Sequence, residues 1–118
     1  MDPQLERALR ETEEIVIVTR GRRTGRPHET TVWCAYEKGV VWLRADDDSD
    51  WLRNLRHDPH CRIRVGTTEV AAVRDPLADA AAALKHVVDL FRAKYGADWV
   101  SDWYVERGRT PVRLRLEV

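Results

Sequence analysis

Four arginines and two glycines crowd one short span, Arg20-Gly21-Arg22-Arg23-Thr24-Gly25-Arg26, followed by Pro27 and His28. An apolar run, Ile15–Val18, leads in, and a strand-like segment, Glu29–Tyr36, leads out. Glycine adopts positive φ without steric cost, so the backbone can fold back tightly between them. A hairpin there gathers guanidiniums, the Thr24 hydroxyl and backbone N–H groups at one tip. Guanidinium groups bind carboxylate and phosphate in a fork geometry. The span therefore reads as an anion seat, or as a solvated basic turn that blunts an exposed hairpin.

Other residues that could carry chemistry are more ambiguous. Asp46-Asp47-Asp48-Ser49-Asp50 is an acidic run. It suits a helix N-terminus, which favours carboxylates, better than a metal site, because adjacent carboxylates alone lack ligand geometry. His57, His60 and Cys61 have no second Cys/His cluster to complete four zinc ligands, so no metal is expected. Trp99 and Trp103 stand four residues apart, with Tyr104 beside them. They are either core or the wall of a pocket for a flat ligand.

Length and composition bound the answer. The 118 residues fit one domain spanning 1–118, and 43% hydrophobic content is enough for one core. Lys+Arg and Asp+Glu both number 20, which argues against a general nucleic-acid binder. Two cysteines are too few for a disulfide framework. No stretch approaches membrane-spanning length, and the charged N-terminus is not signal-like. A cytoplasmic protein without a stable membrane anchor is the expectation.

The elements that position these residues follow from pattern. Asp2-Pro3 caps a helix running to about Glu13. Strands are predicted over Glu14–Thr19, Glu29–Tyr36, Val40–Ala45, His60–Gly66, Glu69–Arg74 and Val112–Val118. In the second, Thr30, Val32, Cys34 and Tyr36 share one face, and Thr31, Trp33 and Ala35 the other. Cys61, Ile63 and Val65, and later Val112, Leu114 and Leu116, point inward. Trp51–His57 is a short helix stopped by Asp58-Pro59. Asp75-Pro76 opens a long amphipathic helix carrying Leu77, Ala81, Leu84, Val88, Phe91 and Tyr95 and ending at Gly96. Asp98–Tyr104 is a second short helical piece. Helices do not alternate with strands, so the expected class is α+β, mainly β: a six-stranded antiparallel split β-barrel with one long and two or three short helices outside.

The order of these features resembles a known family. A strand runs into Gly21-Arg22-Arg23-Thr24-Gly25-Arg26-Pro27, and a tryptophan-bearing strand with Trp33 follows. After the third strand come Trp51, Asn54-Leu55 and Pro59. The pattern is similar to the deazaflavin-dependent nitroreductase and quinone reductase family. That family is a branch of the flavin-binding split-barrel superfamily related to pyridoxamine phosphate oxidase. The similarity runs from about Ile15 to the C-terminus.

What the resemblance implies is binding of coenzyme F-420, with FMN as the alternative, and hydride transfer to a planar acceptor such as a quinone or nitroaromatic. Arg22, Arg23 and Thr24 would hold the phosphate and glutamate tail. Arg26, His28, Trp33 and Asn54 are further cofactor-binding candidates, and Trp99, Trp103 and Tyr104 would line the substrate side. Two positions depart from the family: His28 stands where it often carries a basic residue, and Asp46–Asp50 replaces a Gly-rich, often basic loop that cradles the ring. Carboxylates there would repel an anionic tail. A second function fits the same residues, a non-catalytic carrier of a flavin, haem or other planar anion. A third is a ligand-free homodimer. Split-barrel relatives are often dimers with the site near the interface, so the resemblance also implies a homodimer.

Overall fold

A computed structural model of the protein describes residues 2–97, 100 and 108–117. Helix α1 spans Pro3–Glu11, and the Asp2 carboxylate accepts the Gln4 N–H at 2.9 Å to cap it. Strands β1 (Glu14–Arg20), β2 (Pro27–Trp33), β3 (Ala35–Glu37) and β4 (Val40–Asp46) follow. Then come α2 (Asp50–His57), β5 (His60–Val65), β6 (Thr68–Asp75), α3 (Ala80–Tyr95) and β7 (Arg109–Leu116).

The strands form a seven-stranded sheet in the order β2-β1-β5-β6-β7-β4-β3, with every pair antiparallel. Its two edge strands, β2 and β3, are neighbours in the chain, separated by Cys34 alone. One residue can join the two edges only if the sheet curls on itself, and the result is a half-barrel.

The strand count is therefore seven where six were expected, and the reason is local. The predicted alternation across Glu29–Tyr36 is present: Val32, Cys34 and Tyr36 pack into the barrel, while Trp33 and Ala35 face the second cluster. What changes at Cys34 is the pairing partner, from β1 to β4. Alternation reports faces and is blind to partners. The long helix also begins later than expected. Asp79, not Asp75, caps it, accepting the Ala82 N–H at 3.0 Å. Asp75 ends β6 and pairs with Arg113 and Arg115 at 3.1 and 3.3 Å.

The core has two parts. Inside the barrel, Ile15, Ile17, Leu43, Ile63 and Leu114 pack against Leu9 of α1 and Leu52 and Leu55 of α2. Outside it, Ala35 and Trp42 pack against Val87, Val88 and Phe91 of α3. Each of the Val, Leu, Ile and Phe side chains among them contributes about 1.5–3 kcal/mol through burial. The bend at Cys34 is tied to the C-terminal end of α3. Tyr95 Oη accepts the Cys34 N–H at 3.1 Å and donates to the Glu13 carbonyl at 2.6 Å. Lys94 Nζ donates to the Cys34 and Leu9 carbonyls at 2.8 and 3.2 Å. Burial pushes the Cys34 thiol pKa up, against the pull of nearby Lys94.

Candidate cofactor site

The β1–β2 register runs out to Arg20 opposite Pro27, so residues 21–26 form the hairpin tip. The tip is held by its own backbone: Gly21 N–H donates to the Arg26 carbonyl and Gly25 N–H to the Gly21 carbonyl, both at 2.8 Å. Gly25 has φ +72°, and a Cβ on Gly21 would sit 3.0 Å from the Arg26 carbonyl oxygen. Both glycines are thus demanded by the turn. The Thr24 hydroxyl accepts the Arg26 N–H at 3.2 Å, so this threonine shapes the tip as well as bordering the site.

Arg22 is not a free charge on that tip. The buried Asn54 of α2 takes the Arg22 backbone N–H at 3.2 Å and its Nη1 at 2.9 Å on one oxygen. The Asn54 amide nitrogen donates to Thr19 Oγ1 at 3.1 Å, and Asp50 Oδ1 lies 3.2 Å from Arg22 Nη2. One side chain from α2 therefore aligns hairpin backbone, arginine and strand together. Residues Asp50 and Asn54 stand one helical turn apart, which puts both on the face toward the hairpin.

A cavity of about 190 Å³ opens between the tip and α2, lined by Gly21, Arg22, Arg23, Thr24, His28, Asp50 and Asn54. Five of the seven predicted cofactor-binding residues meet there: Arg22, Arg23, Thr24, His28 and Asn54. Arg26 is exposed on the far limb of the tip and does not border this cavity. Trp33 lines a second hollow of about 190 Å³ with Thr31, Val32, Arg44 and Phe91. Its indole stacks on Tyr95, centroids 4.1 Å apart. His28 and Thr31 both belong to β2, roughly 10 Å apart at the usual rise per residue, so both hollows border that strand. That strand is hydrogen-bonded on one side only, being an edge of the sheet. The predicted Trp99, Trp103 and Tyr104 lie outside the described residues.

The acidic loop is partly engaged by its surroundings. Asp46 lies 3.2 Å from Arg44 Nη1 and 3.3 Å from Arg109 Nη1. Asp47 accepts from the Thr110 hydroxyl, and its N–H donates to the Gly108 carbonyl at 2.8 Å. Ser49 begins α2, yet its hydroxyl donates to the Asp46 carbonyl at 2.7 Å rather than capping the helix. Asp50 is the loop carboxylate that borders the hairpin cavity. Sequence reading missed Asp50 and Arg44 as site-lining residues. The spacing of Asp50 to Asn54, and an arginine inside the apolar run Val40–Ala45, were the available signals. Among the described residues, no group of three His, Cys, Asp or Glu could hold a metal ion. None of the helices there is long and apolar enough to cross a membrane.

A curled antiparallel sheet with helices packed outside is a split-barrel architecture. Solved structures share it. HutZ, the heme storage protein from Vibrio cholerae, superposes with a TM-score of 0.78 at 15% identity, covering 99% of this chain and 90% of that one. An F420 reductase gives 0.74 at 15% identity, covering 96% and 93%. A FAD-binding protein from Mesorhizobium loti gives 0.68 at 12% identity, covering 100% and 91%. At these identities the likeness is one of fold. No curated protein matches the chain in sequence. The family model for F420H(2)-dependent quinone reductases matches residues 2–114, and the chain belongs to that family. Its cofactor is accordingly F-420, and its role that of an oxidoreductase.

Proposed function

We propose that the protein transfers hydride from reduced F-420 to a planar acceptor, a quinone first and nitroaromatics second, in the cytoplasm as a single-domain protein and homodimer. When bound, the reduced deazaflavin supplies the hydride, so the chain needs no nucleophile or acid–base pair of its own. Its task is to hold and orient the cofactor and to exclude water.

Arg22 and Arg23 would hold the phosphate and carboxylates of the tail through charge-assisted hydrogen bonds, with His28 beside them. Asn54 holds Arg22 in its pose, and Thr24 fixes the turn that presents both. Arg26 adds positive field from the far limb of the tip. Trp33 would wall the ring end of the cleft, and Trp99, Trp103 and Tyr104 are the candidates for the acceptor side. The observation that carries this reading is the meeting of Arg22, Arg23, His28 and Asn54 around one cavity beside an open sheet edge. The residues present fit an anionic cofactor: an arginine pair with a buried amide orienting one of them.

The test is an absorbance titration with F-420 and, separately, FMN, followed by mixing the reduced F-420 complex with a soluble naphthoquinone. The expected result is saturable F-420 binding and turnover of the quinone. Binding without turnover would instead make the protein a carrier of planar anions. Preference for FMN would overturn the cofactor assignment for this chain.

A further inference from the structure

At the hairpin end of the sheet, bordered by Arg20, Gly25 and Pro27, lies a cavity of about 360 Å³. It shares no lining residue with either hollow along β2. Its size falls in the range of small-molecule sites, which combine an apolar lining with a few polar groups. Val18, Pro27 and Ala71 supply apolar surface. Cys61 also lines it; burial, reinforced by Glu117 and Asp58, pushes that thiol up to about 12, so it stays neutral.

The charged groups around it are almost all engaged. Arg62 pairs with Glu69, Glu117 lies 3.6 Å from His60 Nδ1, and Asp58 Oδ1 accepts the His60 N–H at 3.0 Å. Arg20 differs. Its guanidinium makes no ion pair or hydrogen bond among the described residues. Its Nε and Nη2 lie 3.7 Å from where a Cβ of residue 25 would stand, so Gly25 leaves room beside it. Arg20 also borders a neighbouring polar hollow of about 460 Å³ with His57 and Asp58, whose other side is the hairpin tip at Gly21, Arg22 and Thr24. An unengaged guanidinium thus stands where an apolar cavity opens into a polar one.

We infer that this cavity is a second binding site, for a small apolar monocarboxylate whose carboxylate pairs with Arg20 and whose body lies on Val18, Pro27 and Ala71. The fork of the guanidinium matches a carboxylate. Asp58 and Glu117 border the same cavity, so a dianion is disfavoured and the single charge belongs at the Arg20 end. The proposal does not rest on the proposed activity, and the cavity itself shares no lining residue with the cofactor cavity, although the polar hollow between them is bordered by residues of both.

The probe is 2-naphthoate, followed by isothermal titration and by amide chemical shifts. Saturable binding is expected, with shifts at Val18, Arg20 and Ala71. Arg20→Gln, at an exposed position, should weaken it about tenfold or more, the size of a lost charge-assisted contact. Ala71→Phe should abolish it by filling the cavity while leaving F-420 affinity unchanged. The neutral analogue 2-naphthamide should bind at least about tenfold more weakly for the same reason. No saturable binding, equal binding of acid and amide, or displacement by inorganic phosphate would overturn the proposal. So would a loss of binding with Arg23→Ala but not with Arg20→Gln.

Discussion

The basic hairpin and the acidic loop look alike as sequence: each is a short run of one charge beside a strand. The fold treats them oppositely. The hairpin keeps Arg23 and Arg26 exposed, and it aims Arg22 from a buried amide. Part of the acidic loop is tied to its surroundings, Asp46 by Arg44 and Arg109, and Asp47 by Thr110. A run of like charge becomes a binding surface only where the fold leaves it without enough counter-charge. Asp50 is the point where the two regions touch, holding Arg22 at 3.2 Å.

That contrast can be broken at three places. The largest effect belongs to Asn54→Ala. Asn54 is 2% exposed and serves Thr19 and both the backbone and side chain of Arg22. Its loss should cost about 2–3 kcal/mol of stability through groups left unsatisfied. F-420 affinity should fall with it, because Arg22 loses its brace. Urea denaturation and cofactor titration of the same variant would show both; a stable variant with unchanged affinity would mean the amide holds nothing that matters.

A middle effect is expected at Asp50→Asn. Its carboxylate borders the cavity and competes for Arg22, so removing the charge should tighten F-420 binding by about two- to fivefold, as suits a partly screened pair. Weaker binding would show that Asp50 supports the cofactor rather than opposing it. The smallest effect is at Asp46→Asn. The Asp46 side chain is half exposed, so its pairs are screened and stability should drop by under about 1 kcal/mol. F-420 affinity should stay as it was. A clear gain in affinity would place this part of the loop over the cofactor.

Much of the fold was legible because its signals are local. The Asp2-Pro3 cap, the alternation of His60–Val65 and that of Val112–Leu116 each concern neighbours in the chain. The break at Cys34 was not legible. Its cause is a change of hydrogen-bond partner, enforced by Tyr95 and Lys94 about 60 residues downstream. The candidate site divides the same way. Composition alone marks the arginine tip, and the glycines mark the turn. The Asn54 brace on Arg22 spans 32 residues, and the pairing of Asp47 with Thr110 spans 63. Contacts at such separation leave no periodic trace, so the engagement of Asp46 and Asp47 with residues near the C-terminus was not legible, while Asp50 does border the cavity as a carboxylate.

The dissociation constant for F-420, compared between the protein and its Arg22→Ala/Arg23→Ala variant, tests the central claim most directly. Each charge-assisted contact is worth roughly 1.5–3 kcal/mol, so affinity should fall at least about a hundredfold. An affinity that does not change would contradict the placement of the cofactor's anionic end at the hairpin.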